Sequence, residues 1–129
     1  MESLRFPPDG QASVVFVHAD SEPERVHRLV ETLFDAYERG ADGITAARRE
    51  RDDVPALRES MEALDSSFEA LVVEALRPLR PDSSSVWSVR ALTDLEVWRT
   101  MREQGATPEA AVDRASTAVE RWLDARPVR

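Results

Sequence analysis

Apolar residues recur at three- and four-residue intervals along most of the chain, in four blocks divided by proline, glycine and serine. The first block opens on Ser21-Glu22-Pro23-Glu24, a capping box in which the serine accepts from a free helix amide and the glutamate answers. Val26, Leu29, Val30, Leu33, Phe34 and Tyr37 follow as one continuous stripe. Gly40 and Gly43 are expected to break or kink this helix, leaving Ile44 to Arg51 as a short charged extension. The second block starts at Asp53, with Pro55 in the first turn, where a missing amide proton is harmless. Leu57, Met61, Leu64, Phe68, Leu71, Val72, Ala75 and Leu76 form its stripe, and Pro78 and Pro81 end it.

The third block, Ser85 to Gln104 with Gly105 as its stop, is different in kind. Val86, Trp87, Val89, Ala91, Leu92, Leu95, Val97, Trp98 and Met101 wrap most of its circumference when it is read as one helix. A helix apolar all round must be covered on more than one side. The fourth block begins with the cap Thr107-Pro108-Glu109 and carries Ala111, Val112, Ala115, Ala118, Val119, Trp122 and Leu123. Its alanines permit close helix approach. Both final blocks therefore look over-provided with apolar surface for a monomer, which predicts a homodimer. The candidate interface residues are Val89, Leu92, Val97 and Trp98, with Val112, Ala115, Val119 and Trp122.

The first twenty residues follow another rule. Ser13 to Val17 is a β-branched run of strand type after the turn residues Pro7 to Gly10. A lone strand is not stable. Residues 1–20 are thus read as an extended or loosely held arm, or one that pairs with a second copy. The whole is an all-α, antiparallel bundle of about four to five helices over residues 21–126, preceded by an irregular arm.

Composition narrows the function more than the fold. The 129 residues carry a net charge of −8, the wrong sign for phosphate neutralisation, so direct nucleic-acid binding is not expected. All the cationic residues besides histidine are arginine. Without cysteine there are no disulfides or thiolate metal sites. No apolar run reaches the ~20 residues of a membrane helix, and the start lacks a signal-peptide layout; a cytoplasmic, membrane-free protein is expected.

Candidate chemistry is sparse. Glu24-x-x-His27 matches half of a di-iron bundle motif, but the other histidine, His18, lies outside the helices with no such frame. Ser83-Ser84-Ser85 is a loop without a nucleophile elbow, and four glycines do not make a phosphate cradle. Arg48 to Asp53 alternates in sign and reads as a solvated face. No catalytic residue, metal site or cofactor is assigned. Phe34, Tyr37, Met61 and Phe68 share the inward stripes of the first two helices, where they either line a cavity for a small apolar molecule or simply fill a core.

The stretch from Arg90 to Gly105, RALTDLEVWRTMREQG, followed by Thr107-Pro-Glu-Ala-Ala-Val112, resembles the end of many regulators of the tetracycline-repressor (TetR) family. Val30 to Arg39 and Val54 to Leu64 are similar to helices of that family's ligand domain, and the likeness extends over roughly Ser21 to Asp124. Nothing between Met1 and Asp20 matches the family's helix-turn-helix, so the resemblance implies no operator binding for this chain. It implies a small-molecule-sensing domain that dimerises through a four-helix interface formed by the last two helices of each subunit. A purely structural helical interaction module without a ligand is the alternative.

Overall fold

The computed structural model describes residues 9–126, and it is all α-helical bundle with no strand among them. Helix α1 runs from Glu22 to Glu50 and α2 from Pro55 to Leu76. Two short helices, α3 (Ser83–Leu92) and α4 (Leu95–Glu103), lead to α5 (Pro108–Ala125). The capping box at Ser21 forms as its sequence requires: the Glu24 amide donates to Ser21 Oγ at 3.2 Å and the Ser21 amide to Glu24 Oε1 at 3.3 Å. Gly40 leaves helical geometry at φ −139°, ψ 15° and kinks α1.

Helix α1 is the central element. It packs against α2 on one side and α5 on the other, with α4 along its C-terminal half. Val26, Leu29, Val30, Leu33, Phe34 and Tyr37 are all buried, as their spacing predicts. Arg25 fastens the start of α1 to the end of α2. Its Nε donates to the Ala75 carbonyl at 3.0 Å and its Nη2 to the Glu74 carbonyl, so a fixed positive charge meets a helix C-terminus. Its guanidinium also lies 5.0 Å from the centre of the Phe16 ring.

Two expectations are corrected. Ser13 to Val17 is not a strand: Asp9–Phe16 coils as a 3₁₀ helix against α2, and Ala12, Phe16 and Ala19 enter the common core. With no sheet to join, a β-branched run satisfies its backbone more cheaply by coiling and burying one side. Residues 9–20 are therefore packed into the bundle rather than extended or loosely held.

The single helix expected over Ser85 to Gln104 is two helices. The chain turns at Thr93-Asp94, both of which divert backbone groups from the helix ladder. Thr93 Oγ1 donates back to the Val89 carbonyl at 2.8 Å, and Asp94 restarts the helix by accepting from the Glu96 amide at 3.1 Å. The apolar residues that would wrap one cylinder are thereby shared between two short helices, each with its own inward side. Val86 and Val89 face in from α3, and Leu95 and Trp98 from α4.

Candidate functional site

The four residues read as ligand-lining come together, but in the core. Phe34 is 1% exposed, and Tyr37, Met61 and Phe68 are fully buried. The Phe34 and Tyr37 rings are 5.7 Å apart, and Phe68 meets Tyr37 edge-on at 5.9 Å, within the range of favourable aromatic pairs. Trp98 adds a fourth ring 6.1 Å from Tyr37. Tyr37 is the hub of this cluster, and its hydroxyl donates to the Thr93 carbonyl at 2.9 Å. Burial, reinforced by the nearby Asp94 carboxylate, pushes the phenol pKa far above its ordinary value. The phenol is locked neutral and serves as a tether between α1 and the α3–α4 turn.

The eight expected interface residues divide. Val89, Trp98, Ala115 and Val119 are buried within one copy of the chain, where α3 packs on α2 and α5, and α4 and α5 pack on each other and on α1. These four are spent on the core of a single copy and are not available as a free surface. Leu92, Val97, Val112 and Trp122 are only partly covered. Trp98 is further committed, since its Nε1 donates to Glu38 Oε2, a carboxylate that also pairs with Arg102 Nε at 2.8 Å.

Two features escaped the sequence reading. One is Trp87 on α3, which is 67% exposed; its place in an apolar run hides this, and only the break at Thr93 reveals that its side faces solvent. The other is a groove along α1 and α5. A cleft of about 400 Å³ is lined by Glu31, Phe34, Asp35 and Glu38 from α1 and by Glu109, Val112 and Asp113 from α5. A second, of about 550 Å³, continues it past Glu24, Ser116 and Glu120, sharing His27, Glu31 and Asp113 with the first. The helices run antiparallel there, since the start of α1 lies by the later turns of α5. Neither cleft, nor those at the α4–α5 turn and beside Arg25, is lined by Tyr37, Met61 or Phe68.

Several groove carboxylates already have partners. Arg28 lies 3.7 Å from Glu31, Arg39 3.1 Å from Asp35, and His27 bridges the groove to Asp113 at 3.6 Å. Glu109 and Glu120 have no ion pair among the described residues. The signal was present in the sequence as a polar stripe, Glu109, Asp113, Ser116 and Glu120, at helical spacing beside the apolar one. No group of three or more histidine, cysteine or carboxylate side chains among the described residues is arranged to hold a metal ion. No described helix is long and apolar enough to cross a membrane.

Comparison with known proteins adds no relative: no family model, no curated protein and no solved structure matches this chain.

Proposed function

We propose that this chain is a helical protein–protein interaction module that pairs with a second copy of itself through the outer side of α3, α4 and α5. The observation that supports it is Trp87, a large apolar side chain left 67% exposed on α3. Tryptophan is the residue type that contributes most when an interface covers it. Leu92 on α3 itself, Val97 on α4 and Trp122 on α5, each only partly covered, supply apolar surface for the surrounding contact. Pairing through the last helices is also what the TetR resemblance implies. Sedimentation equilibrium at micromolar concentration tests the reading: a dimer is expected, converted towards monomer by Trp87→Ala. A parent chain that stays monomeric at tens of micromolar overturns it.

The second reading, a sensor of a small apolar effector, keeps the support of one observation. Phe34 and Val112 reach the cleft of about 400 Å³ between α1 and α5. The site it proposes thus shifts from between α1 and α2, where rings occupy the space, to the α1–α5 seam. A thermal-shift screen with hydrophobic compounds is the test. A ligand at a hundredfold excess over its Kd is expected to add about 2.7 kcal/mol, and no shift with any compound leaves the interaction module alone.

A further inference from the structure

Beyond self-pairing, we infer that the α1–α5 groove is a binding site for a linear aliphatic polyamine. The groove combines an elongated shape, a lengthwise charge pattern and a buried hydroxyl with no partner. The two adjoining clefts form one elongated trough that shares His27, Glu31 and Asp113. Glu109, Asp113 and Glu120 lie along one side of it on α5. From Glu109 to Glu120 the helix rises roughly 16 Å at ~1.5 Å per residue, so the negative charge is spread lengthwise instead of gathered at a point. A compact divalent ion does not match that pattern, and the described residues offer it no cluster of ligands.

Ser116 supplies the independent observation. It lines the trough between Asp113 and Glu120, is 4% exposed, and its Oγ has no hydrogen-bond partner. Ser and Thr side chains within helices commonly donate to the carbonyl four residues back, as Thr117 does to Asp113 at 2.9 Å. Ser116, one residue away, makes no such bond. A buried polar group left unpaired costs free energy, and the Ser116 hydroxyl has its lone pairs free to accept as well as its proton free to give. An ammonium or secondary ammonium group donates to an uncharged oxygen and to carboxylates alike.

A polyamine suits the arrangement in detail. Its nitrogens are separated by three or four methylenes, a spacing close to one helical turn of about 5.4 Å; Glu109 and Asp113 stand about one turn apart on α5 and Asp113 and Glu120 about two, with Ser116 between them. The methylenes would lie against Val112, Pro108 and Pro23, the apolar residues that present surface to the trough. The ammonium groups would meet Glu109, Asp113 and Glu120, of which Glu109 and Glu120 have no ion pair among the described residues. The overall charge of −8 draws such a ligand in.

Titration calorimetry of the full chain with spermine, whose four nitrogens extend over a length like that from Glu109 to Glu120, tests the proposal at physiological salt. Saturable binding at one spermine per chain is expected, weakened at least tenfold by Glu109→Gln together with Glu120→Gln. Ser116→Ala separates ligation from folding: it is expected to bind several-fold more weakly while melting no lower than the parent, since it removes an unpaired polar group. Charge substitutions away from the trough, Glu59→Gln and Glu62→Gln, are expected to leave affinity unchanged. The absence of saturable heat overturns the proposal, as does an equal response to magnesium at matched ionic strength, or trough variants that bind like the parent. Repeating the titration on Trp87→Ala keeps the outcome independent of pairing.

Discussion

The aromatic cluster of α1 and α2 and the outer side of α3 are made from similar residues and end in opposite states. Phe34, Tyr37 and Phe68 are at most 1% exposed, whereas Trp87 is 67% exposed. The first three sit on helices of 29 and 22 residues that pack lengthwise on one another, so an inward stripe is covered along its whole length. Trp87 sits on a helix of 10 residues that ends at Thr93. A short helix has few turns to bury, and Val86 and Val89 occupy its inward side. Apolar character therefore marks a candidate for burial. Helix length and direction decide whether burial occurs within the chain or is left to another molecule.

Phe68→Ala strikes the covered side of this contrast hardest. Deleting a fully buried ring is expected to cost about 3–5 kcal/mol in urea-unfolding stability. A loss under ~1 kcal/mol would mean that the cluster is loosely filled, and would return the α1–α2 space to the ligand reading. Trp87→Ala probes the exposed side. It is expected to weaken self-association by about 2 kcal/mol or more, as a central interface tryptophan does, while leaving stability below the pairing range within ~0.5 kcal/mol. A large loss of monomer stability would place Trp87 in the core and dissolve the comparison.

Tyr37→Phe tests the tether that joins the two regions. The substitution keeps the ring and leaves the buried Thr93 carbonyl short of a donor, an expected cost of about 1–3 kcal/mol. A pH dependence accompanies it. The folded phenol pKa is raised above its ordinary value of 10.0 by burial and by Asp94, so its contribution is fully present below pH 10 and is lost as pH climbs beyond that. The chain has one tyrosine, no lysine and no cysteine, which leaves few other side chains to titrate there. Thermal melts above pH 10 are expected to fall more steeply for the parent than for Tyr37→Phe, and phenolate absorbance is expected only as the protein unfolds. Equal slopes would refute the buried phenol.

Asp94→Ala carries the smallest expected effect, about 1 kcal/mol for a lost N-cap. Its value lies in sharpening why the α3 side is exposed. If the turn at Thr93-Asp94 sets the direction of α3, weakening the cap is expected to alter Trp87 fluorescence before global unfolding. Unchanged emission through the whole pre-transition would assign the turn to Thr93 alone.

The all-α class, the capping of α1 and α5, the kink at Gly40 and the inward stripe of α1 are legible in the order of residues alone. Each is a local property, written in residues within a few positions of one another: Ser21 with Glu24, Thr107 with Ala110, apolar positions at three and four. The path of residues 9–20 was not legible, because Ser13 to Val17 favours a strand only where another strand is available, and α2 offered a helical surface instead. The break at Thr93 was weakly legible, since a threonine and an aspartate inside an apolar run do not by themselves end a helix. Which apolar residues are spent depends on how the helices pack. Val89, Trp98, Ala115 and Val119 turn inward and Trp87 outward because of how α3 is aimed across α2 and α5, and α4 and α5 across α1. The α1–α5 trough belongs to the same class. Its two polar stripes lie more than seventy residues apart in the chain, and only antiparallel packing sets Glu31 and Asp113 on opposite walls of one groove.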